Sequence, residues 1–366
     1  MQELIEEIDK CIDCHTCTLS CPIYAYTQKE IDAPYYRLQI ARKIFNREKI
    51  SSDEFQSIYN CPKCEKCQVT CPSEIKIVKV IGKAREELFN QGYELLAGHQ
   101  GLRDGILQRK NSVKGDPERL LEYLPENFEF DETASTLYYA GCLPGYFMKE
   151  IANSSVQILK KIGIPFKVIK DEICCGSPLV DLGDVASAKK FFEENLEIFK
   201  AHGVKELIVS CSGCYRCFTK FYPEVLGKSI KVRHIVDVIA DALKAGKIQF
   251  KKLSEKVIYH DPCHLSREFG KYDAPREILK KAAELVEFLN NRQAADCCGA
   301  DSAVRAGFKE LSVQVALKRV DQAVGRADSL VTSCPFCTFN LNYARRKNNR
   351  NIEIQYLTTF LLKVLE

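Results

Sequence analysis

The chain has 366 residues, 46% hydrophobic and 28% charged, which suits two or three globular domains. Its 53 Lys and Arg against 49 Asp and Glu leave a net charge of +4, too small for the basic surface of a nucleic-acid binder. Nineteen cysteines are an odd number that disulfides alone cannot use up, and no secretion signal, transit segment or run of ~18 apolar residues accompanies them. A chain of this kind is expected to hold metal in a reducing cytoplasmic setting and to meet a membrane only peripherally, through a partner.

Residues 1–95 read as a small α-helical domain. Two runs of four cysteines, Cys11, Cys14, Cys17, Cys21 and Cys61, Cys64, Cys67, Cys71, each end on a proline, with 39 residues between them. Helical periodicity covers 35–48 and 74–89, with Ser51–Asp53 and Ser73 as expected N-caps. Three thiolates two residues apart wrap a tight turn around one face of a cubane, and a fourth placed before proline reaches away. The spacing predicts two cubane [4Fe–4S] clusters that exchange their fourth ligands. One takes Cys11, Cys14, Cys17 and Cys71; the other takes Cys61, Cys64, Cys67 and Cys21. Structural zinc is a poorer match, because zinc knuckles use paired CxxC turns rather than four-cysteine runs. The apolar residues 58–59 and 75–81 are expected in the core beside these clusters rather than on a partner's docking face.

Residues 96–134 carry Gly98, Gly101, Gly105, Gly115, Pro117 and Pro125 and read as a connector. The remainder is duplicated. Cys175 and Cys298, Cys211 and Cys334, and Cys214 and Cys337 are each 123 residues apart, and Cys142 and Cys263 are 121 apart. The period predicts two α/β units, 135–250 and 251–366, as a pseudo-two-fold pair within an α+β multidomain chain. Apolar β-rich runs at 136–140, 165–169, 206–210, 257–260 and 329–333 alternate with helical patterns at 148–161, 185–201, 235–244, 273–287, 308–323 and 355–365. Parallel sheets follow, with ligands gathered at the carboxyl ends of the strands, where Cys142, Cys211, Cys263 and Cys334 stand.

Each repeat holds five cysteines: Cys142, Cys174, Cys175, Cys211 and Cys214 in the first, Cys263, Cys297, Cys298, Cys334 and Cys337 in the second. An unstrained disulfide between adjacent residues is difficult, whereas adjacent thiolates suit neighbouring metal ions. Gly176 and Gly299 let the backbone turn tightly beside such a group. Five thiolates exceed the four that a cubane needs.

Both sets resemble the cysteine-rich CCG domain, and the whole chain is similar to the D-type iron–sulfur subunits of heterodisulfide reductase, a family with a double-cubane helical ferredoxin domain followed by two CCG domains. The resemblance implies a noncubane [4Fe–4S] cluster on each five-cysteine set, with all ten cysteines as ligands and part of the catalytic centre. It implies a disulfide split between the two clusters into thiolates captured by iron. A small-molecule disulfide or thiol, such as the coenzyme M–coenzyme B heterodisulfide, would be the substrate. A flavoprotein, a ferredoxin or a membrane cytochrome would supply the electrons. Cleaving a disulfide takes two electrons, which cubane relays deliver one at a time, and iron is a suitable Lewis acid for soft sulfur. The alternative is an electron-transfer subunit without its own substrate. Similar chains serve flavin-dependent glycolate, lactate or glycerol-3-phosphate dehydrogenases, or membrane-linked and bifurcating complexes. Two complete sets favour the reductase; a zinc-binding scaffold is a third reading. No glycine-rich phosphate loop or dinucleotide fingerprint occurs, so no flavin is expected on this chain.

Other candidates carry less. His264, next to Cys263, reads either as a proton donor to a departing thiolate or as a structural group. His260 and His234 read as structural, His234 aligning with Tyr356. Cys217 aligns with Asn340 and reads as a spare buried thiol, with a labile redox or zinc role as the alternative. Arg216, Arg267 and Arg305 are placed either to bind an anionic group or to neutralise clusters. Arg345, Arg346 and Lys347 read as an exposed face.

Overall fold

The computed structural model describes residues 1–366. The helix Ser52–Tyr59 begins at a capping box: Ser51 Oγ accepts from Glu54 N at 3.2 Å and the Glu54 carboxylate accepts from Ser51 N at 2.7 Å. Ser73 does not cap. The chain turns at Glu74, in the left-handed region, and the next helix, Ile77–Asn90, starts from Lys76 without a side-chain cap. This helix packs on Pro34–Phe45 through Val80, Ile81, Ala84 and Leu88 against Leu38, Ala41 and Ile44. Ile58, Tyr59, Ile75, Ile77 and Val78 are buried as core.

The glycine-rich stretch begins with a helix, Ala97–Arg109. It contacts both α/β units: His99 Nε2 lies 3.1 Å from the Ala303 carbonyl, and Arg103 Nε donates to Asp184 at 2.7 Å.

Two parallel sheets follow. The first has the order β1-β2-β3, with β1 Thr136–Tyr139, β2 Glu206–Val209 and β3 Lys231–His234. Lys167 adds a single bridge to Leu137 on the outer side of β1, all that forms of the expected run 165–169. The second sheet has the order β5-β4-β6-β7, with β4 Lys256–His260, β5 Glu284–Val286, β6 Ser329–Thr332 and β7 Glu353–Tyr356. With the bridge counted, the two orders match position for position. Paired details repeat: Tyr138 OH lies 2.9 Å from Ser210 Oγ, and Tyr259 OH lies 2.6 Å from Ser333 Oγ.

Strands β5 and β7 correct the helical reading around them, and β3 is an added element directly before the helix Ile235–Lys244, which forms as expected. The pattern at 273–287 breaks into a helix Asp273–Ala282 and then β5, and that at 355–365 into the last residues of β7 and a helix Leu357–Leu362. Each strand is only three or four residues long and leads directly out of or into a helix, which leaves no alternation to read. The helix Pro335–Lys347 is a further element the periodicity did not reveal. Between the sheets, helix Lys149–Ile162 meets Leu357–Leu362 at a seam of small hydroxyl residues. Ser154 Oγ lies 2.8 Å and Ser155 Oγ 3.1 Å from Thr358 Oγ1. One apolar core runs continuously from Leu137 and Ile208 to Val257, Leu357 and Phe360.

Candidate functional site

The cysteine runs of the helical unit fold into two separate groups. Cys11, Cys14, Cys17 and Cys71 surround one small cavity, and Cys21, Cys61, Cys64 and Cys67 surround another. The chain brings this about through its proline-terminated fourth cysteines: Cys21 and Cys71 each leave their own turn and join the other. Cys14 in the first group is exposed, whereas all four of the second are buried. Beside the second group, Arg37 Nη1 lies 3.7 Å from Cys21 Sγ and is held by Ser57 O at 2.8 Å and Asn60 Oδ1 at 2.5 Å. A buried cation against all-sulfur donors suits thiolate-ligated, negatively charged iron–sulfur clusters.

In the α/β units, the first cysteine of each set leaves β1 or β4, and the CxxC leaves β2 or β6. The adjacent pairs sit on matching turns. Gly176 and Gly299 have φ of +87° and +75°, and their N–H groups point at Cys174 Sγ (3.5 Å) and Cys297 Sγ (3.3 Å). A Cβ on Gly176 would lie 2.6 Å from Phe192, and one on Gly299 would lie 2.8 Å from the Ser312 carbonyl. Cys217, the unmatched thiol of repeat one, is fully buried and donates to the Cys175 carbonyl at 3.1 Å. Its counterpart Asn340 donates to the Cys298 carbonyl at 2.7 Å and to Ser312 O at 3.1 Å. The two residues differ in chemistry and hold the same point of the backbone.

The sulfur groups adjoin one another in order. Cys64 of the helical unit packs with Cys297 and Cys263 of the second α/β unit. Cys298 and Cys337 sulfurs are 3.2 Å apart, and Cys334 lines the same cavity as Cys211 of the first set. Cys214, Cys175, Cys174 and Cys142 continue from there. The second set therefore lies between the helical unit and the first set. A cavity of about 380 Å³ opens on this line, lined by all five cysteines of the first set, by Cys334 of the second, and by Asp181, Asp301 and Arg305.

Long-range polar contacts fix this order. Arg85 is fully buried and donates to the carbonyls of Ile58, Tyr59 and Cys61 in the helical unit, Asp181 in the first α/β unit and Ser302 in the second, at 2.6–3.1 Å. Arg267 does not face the cavity; it ties the carbonyl of Cys64 to those of Ala295 and Gln293. Arg216 is buried between Glu268 at 3.0 Å and Asp181 at 3.7 Å. Lys63 also pairs with Asp181, whose carboxyl is held down at about 2: burial alone would raise it, and the two cations outweigh that. Burial pushes the Glu172 carboxyl up to about 8 against the pull of Gly141 N (2.7 Å) and Ala140 N (2.9 Å), a contact that anchors the turn before Cys142.

His264 is buried and absent from the cavity lining. Nδ1 lies 2.7 Å from Asp301 Oδ2 and Nε2 lies 3.3 Å from the Lys63 carbonyl. Burial would lower its pKa, but Asp301 more than offsets this and raises it to about 10. Neither ring nitrogen of His264 reaches the cavity. His234 caps the helix Ile235–Lys244, accepting from Val236 N at 3.3 Å. His260 carries more than its position at a strand end suggested: a ring nitrogen lies within 4.8 Å of both Cys298 and Cys337 sulfurs. The available signal was the mismatch of His260 with Tyr139 in the repeat alignment.

Comparison with known proteins agrees with this architecture. A family model described as a cysteine-rich domain, CCG, matches residues 136–219 and 257–342, and a 4Fe–4S dicluster domain matches residues 7–75. The chain is 32% identical to an iron–sulfur protein of Methanococcus maripaludis, over 99% of this chain and 74% of that one. It is 31% identical to the D-type subunit of the dihydromethanophenazine:CoB–CoM heterodisulfide reductase of Methanosarcina acetivorans, over 98% of this chain and 94% of the relative. A crystal structure of a hypothetical protein from Helicobacter pylori shares the fold at a TM-score of 0.60 and 12% identity, covering 90% of this chain and 67% of that one.

Proposed function

The chain belongs to the family of D-type iron–sulfur subunits of heterodisulfide reductase, and on that premise we propose that it reduces a small-molecule disulfide with electrons from a redox partner. The partner is a flavoprotein, a ferredoxin or a membrane cytochrome. No helix of the chain is long and apolar enough to cross a membrane, so a membrane donor would contribute the span. Overall, RSSR′ takes two electrons and two protons and leaves as RSH and R′SH. The S–S bond breaks and two S–H bonds form.

The observation that carries the reading is the single cavity that meets both five-cysteine sets. In this reading the two groups of four cysteines hold cubane clusters, and the two sets, as a pseudo-two-fold pair, each hold a noncubane [4Fe–4S] cluster through all five thiolates. Bound there, the clusters supply one-electron storage and Lewis-acidic iron for the sulfurs of the cleaved disulfide. The protein does the rest. Leu143, Phe147, Phe336 and Phe339 give the cavity apolar walls beside the cysteines. Arg267 holds the Cys64 turn against the segment that leads into Cys297, and Arg85 locks the three units into one register. His264 and Asp301 fix the Lys63 carbonyl from the cavity's second wall, a positioning role.

The test is anaerobic turnover of a disulfide by the iron-loaded protein with a low-potential dye as donor, alongside iron and sulfide analysis. Turnover lost in Cys298→Ala supports the assignment; normal turnover in that variant rejects it. Co-purification with a flavoprotein and no disulfide turnover would favour the electron-transfer alternative, and zinc without sulfide would favour the scaffold.

A further inference from the structure

Resting on the reading that the second five-cysteine set holds an iron–sulfur cluster, we propose that His260 is a positioning residue whose fixed Nε2–H donates to the sulfurs of that cluster and raises its reduction potential. His260 ends β4 and is buried, and its own carbonyl is held by Thr332 Oγ1 at 3.0 Å. One ring nitrogen lies within 4.8 Å of the Cys298 and Cys337 sulfurs. Nδ1 is engaged elsewhere, accepting from Arg319 Nε at 3.2 Å, whereas Nε2 is buried with no hydrogen-bond partner in the chain. Nε2 is thus the nitrogen left to serve the sulfurs.

Arg319 decides what that nitrogen can do. A guanidinium only donates, so Nδ1 must offer its lone pair and the ring proton must sit on Nε2. A ligand to iron would need the opposite tautomer, with Nδ1–H turned against Arg319. The geometry therefore selects a hydrogen-bond donor over a sixth ligand. Arg319 is itself fixed: it is buried, its guanidinium carbon lies 3.4 Å from the Phe288 ring centroid, and Nη1 donates to Gln322 Oε1 at 2.9 Å. An N–H donor to cluster sulfur favours the reduced, more negative form. The first set lacks both members of the pair. Tyr139 stands in the place of His260 and spends its hydroxyl on the Ile173 carbonyl at 2.6 Å, and Leu196 stands 123 residues before Arg319.

The experiment is an anaerobic, EPR-monitored titration of the iron-loaded full chain with dithionite, which supplies one electron to each centre. His260→Leu is expected to lower one transition about tenfold in its electron-binding constant, ~59 mV for one electron, and to leave the others in place. His260→Gln, which returns an N–H to that point, is expected to recover part of the shift at unchanged iron content; a merely structural role would not. The shift is expected to persist with Cys175→Ala added and to vanish with Cys298→Ala added. Should His260→Leu fail to load iron, His260→Asn, whose amide is too short to reach the sulfurs, takes its place with the same expected shift. Unchanged potentials at full iron content, or a shift that follows Cys175 instead of Cys298, overturn the proposal and leave the cluster reading standing. Loss of iron from the Leu, Gln and Asn variants alike makes His260 a ligand and overturns it too. Iron content that Cys298→Ala does not lower overturns the cluster reading with it.

Discussion

The two five-cysteine sets share their spacing, their left-handed glycine turns and a donor to the same carbonyl, yet they face opposite ways. The first set opens all five cysteines onto the cavity, and Cys142 and Cys211 are only half-buried. The second set is wholly buried; it touches the cavity through Cys334 and touches the helical unit through Cys297 and Cys64. Duplication supplied two sulfur sites of like pattern, and packing set one of them on the cavity and the other against the helical unit. His260 adds a difference in kind, since Tyr139 occupies its place in the first unit and donates instead to the Ile173 carbonyl at 2.6 Å.

The sharpest way to break the comparison is to remove one set at a time. Cys298→Ala and Cys175→Ala are each expected to lower iron from about sixteen to about twelve atoms per chain and disulfide turnover by about a hundredfold or more. After dye reduction, the Cys175 variant should still load electrons on the second set. The Cys298 variant should leave the first set oxidised, which EPR reads directly.

The next effect tests what holds the second set against the helical unit. Arg85→Ala strips the donor from carbonyls of all three units and should destabilise the protein by ~3–5 kcal/mol in denaturant unfolding. Arg85→Lys should recover little, because one ammonium cannot reach the spread of acceptors that the guanidinium spans.

Acid probes the same seam. His99 sits between Tyr59, Phe308 and the Ala303 carbonyl, and its pKa is lowered to about 4 by burial, then by Arg85, against the pull of that carbonyl. Between pH ~6.5 and ~4 the unfolded chain binds a proton that the folded chain refuses. Stability should therefore fall with pH across that window, by at most about 1.4 kcal/mol per unit from this group. His99→Asn should flatten the slope in an unfolding series.

The smallest effect separates the two matched donors. Asn340→Ala, which loses two hydrogen bonds, should cost ~2 kcal/mol, and Cys217→Ala, which loses one weak thiol bond, ~1 kcal/mol or less. Neither should change the iron count. Loss of iron in Cys217→Ala would instead make that thiol a ligand.

Much of this was legible because cysteine spacing records local geometry. The two runs, the duplicated period and the strand ends that carry Cys142, Cys211, Cys263 and Cys334 all lie within a few residues of the chemistry they set. The helix Ala97–Arg109 was hidden by its glycines, which look like loop punctuation. Gly98 is needed because a Cβ there would strike the Ala306 carbonyl across the seam, a constraint that belongs to another unit. The roles of Arg267 and His264 were hidden for the same reason: their partners, Cys64 O and Lys63 O, lie about two hundred residues away.

The amino-acid order by itself determined which cysteines form groups, since ligand spacing and strand-end position are short-range properties. Which set meets the helical unit and which meets the cavity was decided only in the folded chain. The two repeats have nearly the same spacing, so the choice rests on contacts that join distant segments: Arg85 across three units, Arg267 on Cys64, and Lys66 on Asp296.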